Sequence, residues 1–219
     1  MRYFLLVSFS IFLFSGCIKP AIVKKDMPQP VQKENKVQEN RVVVWDGDDY
    51  GVNAKGWVSC NQQGKCVSEV MALDGCGIND SVGLKWICRG KDWKGFGWNW
   101  FGWWPPDGGT DITKYSHLVF KVKAEFKDIK KLADIKAITV RLNSSGNDKA
   151  GTDSVPLGNY IVSLADKKWH EVVIPLSDLM QKEGKNFDMK TAWEFGVGEW
   201  SFSDNDYILY FDDISFEKR

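Results

Sequence analysis

The sequence predicts an all-β domain, a β-sandwich of two antiparallel sheets with at most one or two short helical turns. Two observations carry this expectation. Apolar residues alternate with period two in several segments, the pattern of half-buried strands, and loop-forming clusters separate those segments. Residues 42–45 are β-branched up to Trp45 and break at Asp46-Gly47-Asp48-Asp49. Leu118, Phe120 and Val122 share a face, with His117, Lys121 and Lys123 mostly opposite. Ile138, Val140 and Leu142 face inward against Thr139, Arg141 and Asn143. Val172, Ile174 and Leu176 repeat the pattern, and Ile208, Tyr210, Ile214 and Phe216 extend it through the last strand. Asn143-Ser144-Ser145-Gly146-Asn147-Asp148 and Ser203-Asp204-Asn205-Asp206 have loop composition. Only residues 127–134 and 177–182 have helical character. No internal repeat is present, and many short strands between long turns suit a sandwich.

The N-terminus reads as a processing signal. Arg2 precedes an almost wholly apolar run over residues 3–14, which Ser15 and Gly16 close before Cys17. The run is shorter than the roughly 20 residues a membrane-spanning helix needs. Small residues before a cysteine resemble the lipobox of bacterial lipoproteins, with Phe14 where Leu is usual. The expectation is a signal peptide over 1–16, lipidation of Cys17, a flexible tether over 17–41 and one folded domain over 42–219. The tether carries Pro20, Pro28, Pro30 and a Gln/Lys/Glu/Asn-rich stretch without apolar periodicity. Ile18 rather than Asp follows the cysteine, which favours the outer membrane or cell surface of a bacterial envelope. The membrane would be reached through the lipid anchor alone, and the domain is expected to be a monomer.

The folded part holds roughly 180 residues, enough for one domain with a substantial core. Twenty-nine basic and 29 acidic residues leave a formal charge of zero, with no basic block, so nucleic acid is not an expected partner. Of five cysteines, Cys60, Cys66, Cys76 and Cys88 remain beside Cys17. In an oxidising compartment they suggest disulfides, with three possible pairings. Cys60 and Cys66 flank the turn-like residues 61–65, which favours Cys60–Cys66 with Cys76–Cys88. A four-thiolate zinc site is the rival, but its usual C-x-x-C pairs are missing.

Five of the eleven tryptophans lie between positions 93 and 104. Read as a strand, Phe96, Trp98 and Trp100 share one face, and Gly95, Gly97, Asn99 and Phe101 the other. Glycines opposite large rings let the backbone bend or let something pack closely on it. Flat aromatic rings match the C–H faces of sugars, and the indole N–H adds a donor at the edge. Trp98, Trp100, Trp103 and Trp104 are therefore the candidate stacking residues, with the last two, beside Pro105-Pro106, expected to be the most exposed. About half of the five are expected to be core filler, and Trp86, Trp169 and Trp193 are assigned to the core.

The order of motifs carries a resemblance. The chain runs Val44-Trp45-Asp46-Gly47, then Gly83-Leu84-Lys85-Trp86, then Gly95-Phe96-Gly97-Trp98-Asn99-Trp100. Later come Trp169-His170-Glu171-Val172-Val173-Ile174-Pro175-Leu176-Ser177-Asp178-Leu179 and Tyr210-Phe211-Asp212-Asp213-Ile214. Over about residues 42–217 this resembles the jelly-roll carbohydrate-binding modules of bacterial glycanases, the family 11 kind and its galactose-binding-like relatives in particular. The resemblance implies a β-glucan-like glycan ligand held on one sheet, with Arg141, Thr139 and Asn143 as hydrogen-bonding partners. It also implies a structural calcium near the chain ends, for which Asp46, Asp48, Asp212 and Asp213 (with Asp49 nearby) offer hard oxygens. The alternative for these aspartates is turn capping. No organic cofactor is expected.

Catalysis is not expected. Glycosidic hydrolysis needs two carboxylates flanking the bond, and the nearest pair, Glu194 and Glu199, falls on opposite faces of a regular strand. A lyase would want a Tyr/His pair, and only His117 and His170 exist. A protein-binding or structural role for the same aromatic patch is the other alternative.

Overall fold

The structure, a computed structural model, describes residues 19–20, 39–51, 53–60, 66–90, 93–102, 108–126, 137–145, 151–180, 186–199 and 206–219. Cys17, Trp103, Trp104, the turn 61–65 and the expected helix over 127–134 lie outside them. Two six-stranded sheets face each other, as the period-two pattern predicts. The first is ordered β1 (Lys19–Pro20), β3 (Lys55–Val58), β6 (Lys94–Asn99), β11 (Ala192–Glu199), β8 (Ile138–Ser144) and β9 (Val155–Pro156). In the second, β10 (His170–Pro175), β7 (His117–Phe126), β12 (Tyr207–Glu217), β5 (Gly83–Cys88) and β4 (Ser68–Leu73) follow one another, and β2 (Arg41–Trp45) also pairs with β12. All pairings are antiparallel. One short helix, α1 (Leu176–Leu179), follows β10 where a helical turn is expected. The first strand, β1, falls inside the expected tether and pairs with Trp57 and Val58 at the edge of β3.

The core is an aromatic seam between the sheets. Phe96 and Phe195 from the first sheet meet Phe120 and Phe211 from the second, with ring centroids 5.1–6.3 Å apart at tilted or edge angles. Each such pair contributes about 0.5–1.5 kcal/mol beyond its area burial. Leu118, Phe120, Val122, Ile138, Val140, Leu142, Val172, Ile174 and Leu176 all point inward, as expected.

The last strand departs from expectation. Ile214 and Phe216 are inward, but Tyr207, Leu209 and Phe211 take the inner face before them. Ile208 and Tyr210 therefore face outward. A bulge between Asp212 and Ser215, with Asp213 at φ 55°, inserts the residue that flips the phase. There β12 also changes partner, from β5 to β2.

The aspartates offered for calcium sit at that junction and in the turn after β2. Asp212 Oδ2 accepts from the Ile78 amide at 2.8 Å and from Ser81 Oγ at 3.2 Å, and Oδ1 accepts from the Asp213 amide. Burial lifts its pKa to about 6, against the pull of those donors. Asp213 pairs with Arg41 of β2 at 2.5 Å. Asp46 Oδ1 caps the amides of Asp48, Asp49 and Tyr50, and Asp48 accepts from the Val82 amide. These contacts are those of the turn-capping alternative, joined at Asp213 by an arginine pair. Among the described residues, no three acidic, histidine or cysteine side chains converge on one point.

One of the two expected disulfides is present. Cys60–Cys66 is a disulfide, but Cys76 and Cys88 are free thiols. Cys76 packs on Gly83, where a Cβ would lie 2.4 Å from its carbonyl. Cys88 ends the same strand five residues on, about 17 Å away at the usual rise, whereas a disulfide needs Cα atoms within about 7 Å. Cys88 is buried, and burial pushes its thiol well above the usual range. Iodoacetamide is therefore expected to alkylate half-exposed Cys76 in the folded chain and to reach Cys88 only after unfolding, as peptide mass spectrometry would show.

Candidate functional site

The outward face of the first sheet is built on glycine. Gly95 and Gly97 of β6 and Gly196 and Gly198 of β11 form two cross-strand pairs on that side. Their partners on either flank carry the side chains. One row reads Trp57, Gly97, Gly196, Arg141 from β3 through β8. A second reads Lys55, Asn99, Glu194, Asn143, and a third reads Gly95, Gly198, Thr139.

With no Cβ beneath them, large side chains lie down on the sheet. A Cβ on Gly97 would sit 2.1 Å from Nε1 of Trp57, and one on Gly196 3.1 Å from Nε of Arg141. A Cβ on Gly95 would meet the Trp93 ring at 3.2 Å. Trp57 and Trp93 are each half-buried, two indoles resting on bare backbone. Trp57 Nε1 donates to Glu194 Oε2 at 2.7 Å, and Asn143 Nδ2 donates to Glu194 Oε1. Burial holds the Glu194 carboxyl above its ordinary range, and those two donors and Arg141 pull the other way.

The other side of β6 is core, which corrects the assignment of two stacking residues. Trp98 is 1% exposed and Trp100 3%. Gly56 makes room for the Trp98 ring, whose edge meets Trp45 at 6.0 Å. Trp100 Nε1 donates to Thr110 Oγ1 at 3.1 Å, with the ring against Phe216. Neither indole can take a sugar. Two tryptophans assigned to the core are instead half-buried. Trp169 lies under the Lys123 ammonium at 5.1 Å, and Trp193 is the extra residue of a bulge in β11. Trp86 is in the core, as expected.

Arg141, Thr139 and Asn143 share the outward face with Trp57, in the phase their alternation predicts. The structure groups them with Trp57, Trp93 and Glu194, which sequence reasoning did not single out as binding residues. The legible signal was the glycine alternation opposite Phe96 and Trp98.

The two glutamates of β11 part company. Glu194 is outward, whereas Glu199 points inward to Lys94 Nζ at 2.9 Å and accepts the Tyr207 hydroxyl at 2.8 Å. His117 lies against Ser116 and His170 against Asp166, away from both.

Residues 35–218 match the family model described as carbohydrate binding domain 30. No curated protein matches the chain. The family 30 carbohydrate-binding module of a cellulosomal cellulase of Clostridium thermocellum is 17% identical, with a TM-score of 0.55 over 75% of this chain and 91% of that one. A second crystal structure of a family 30 module is also 17% identical, with a TM-score of 0.50 over 70% of this chain and 75% of that one. A β-1,2-glucanase from Parabacteroides distasonis is 16% identical, with a TM-score of 0.55, and the match spans 80% of this chain but 24% of the glucanase. At these identities the likeness concerns the fold.

Proposed function

Because this chain belongs to the carbohydrate binding domain 30 family, it binds carbohydrate, and we propose that its ligand is a β-glucan-like polysaccharide held uncleaved across the strands of the first sheet. The observation that carries this reading is the row Trp57, Gly97, Gly196, Arg141. It lays a flat indole over Gly97 and the Arg141 side chain over Gly196, with no side chain of either glycine beneath them. At about 4.8 Å between strands the row spans about 14 Å, room for a short run of linked sugar rings. The indole offers its face to ring C–H groups, and the guanidinium can donate to two hydroxyls at once.

The binder is non-catalytic on this reading. The carboxylates of Glu194 and Glu199 lie on opposite sides of the sheet, so they cannot flank one glycosidic bond. Lipid on Cys17 would hold the domain at the outer membrane or cell surface, two residues before the strand that joins the first sheet. The apolar run before Cys17 and the polar, proline-containing stretch after it support that placement.

Titrating the chain with mixed-linkage β-glucan, xylan and mannan while following tryptophan fluorescence tests the reading. Saturable change with β-glucan and no new reducing ends is expected. Sugar release would point to an enzyme, and no response to any glycan would contradict the proposal. Gly97→Ala is expected to weaken binding about tenfold, since its methyl would displace both the Trp57 edge and the Glu194 carboxyl, which lies 2.6 Å from that Cβ position.

A further inference from the structure

Glu194 is a buried carboxyl on an outward face. It is 5% exposed, although its strand phase turns it away from the core. The bulge at Trp193 sets this placement: Ala192 pairs with Ser144, Trp193 is skipped, and Glu194 pairs with Asn143. Its two oxygens are divided between two neighbours. Oε2 takes the Trp57 indole N–H and Oε1 takes the Asn143 amide N–H. The carboxyl carbon and the indole nitrogen meet above Gly97, where no side chain separates them from the backbone.

Packing alone does not account for a carboxyl here. Taking a carboxylate out of water costs free energy, and an apolar side chain of similar volume would cover the glycines without that cost. A carboxylate can do what leucine cannot: it accepts an indole N–H in a fixed direction, with a charge-assisted bond. A ring already fixed in its bound position also loses less entropy when a ligand lands on it.

We propose that Glu194 is a positioning residue of the glycan-binding face, holding the Trp57 indole flat on Gly97 and the Asn143 amide beside it before any sugar arrives. It acts through Trp57 and does not itself touch the sugar. This role rests on the platform reading above.

The test uses the full chain in detergent, with affinity for mixed-linkage β-glucan and the Trp57 indole N–H resonance of the ligand-free chain as readouts. E194L is expected to weaken binding on the order of tenfold to a hundredfold, the range of a lost charge-assisted hydrogen bond, and to move the Trp57 resonance upfield. E194Q keeps an acceptor and recovers most of both. In a W57F background, which has no indole N–H, E194L is expected to cost less than about twofold more. An equal cost in both backgrounds overturns the role, as does a resonance that neither variant moves. If E194L does not fold, E194A and W57F/E194A, which also remove the acceptor, make the same comparison. A wild-type chain that binds none of the glycans overturns the platform reading and this role with it, whereas affinity that survives E194L overturns this role alone.

Discussion

Replacing Trp57 with alanine is expected to cost roughly thirtyfold or more in β-glucan affinity, about 2 kcal/mol, the scale of an interfacial tryptophan anchor. Stability should hardly change. Trp57 is half-buried and rests on the outside of the sheet, so its removal opens no cavity between the layers. Trp98→Ala should behave in the opposite way. That ring is 1% exposed, and deleting a buried aromatic of this size costs about 3–5 kcal/mol of stability. Any loss of binding would then follow from unfolding. Isothermal titration beside thermal melts of the two variants separates a ligand platform from a core filler, although both residues are tryptophans of the same sheet, on adjacent strands.

Glu199→Ala is expected to destabilise the fold by about 3–5 kcal/mol, because it leaves a buried cation without the carboxylate that compensates it. Lys94 is fully buried, and Glu199 Oε2 receives both its ammonium and the Tyr207 hydroxyl. For a domain of this size the melting temperature should fall by roughly 10 °C. Whatever fraction remains folded should still bind glycan with wild-type affinity, since Glu199 faces away from the platform. The two glutamates, five residues apart on one strand, thus predict separate phenotypes. Substitution of Glu194 costs binding, and substitution of Glu199 costs stability. Chemical denaturation monitored by circular dichroism gives the second value.

The sandwich was legible in the sequence because alternation with period two survives wherever one face of a strand is buried. Leu118, Phe120 and Val122 on β7 and Ile138, Val140 and Leu142 on β8 placed their faces correctly. The reading failed where a bulge inserted one residue. Ile208 and Tyr210 were assigned the phase of Ile214 and Phe216, and the bulge at Asp213 breaks that phase. Carboxylates offered for calcium were legible as turn residues but not by partner, since Ile78 and Arg41 reach Asp212 and Asp213 only through the fold.

The binding face was half legible. Sequence spacing put the tryptophans of β6 opposite glycines, and large rings drew attention to the wrong side. Trp98 and Trp100 take the buried side because the opposite sheet offers Trp45 and Phe216 to pack against. The glycines are the platform floor, and its rings come from elsewhere. Trp57 arrives from β3 and Trp93 from just before β6, neither marked by periodicity. Arg141 and Asn143 could be placed on the correct face because β8 is regular, but their partners across the sheet, Gly196 and Glu194, depend on strand order.

A crystal structure of the chain with a β-linked gluco-oligosaccharide tests the central claim most directly. The account predicts sugar rings crossing the strands of the first sheet, one against Trp57 and another within hydrogen-bonding reach of Arg141. An oligosaccharide ordered instead on the outward face of the second sheet, beside Tyr210 and Trp169, would contradict it.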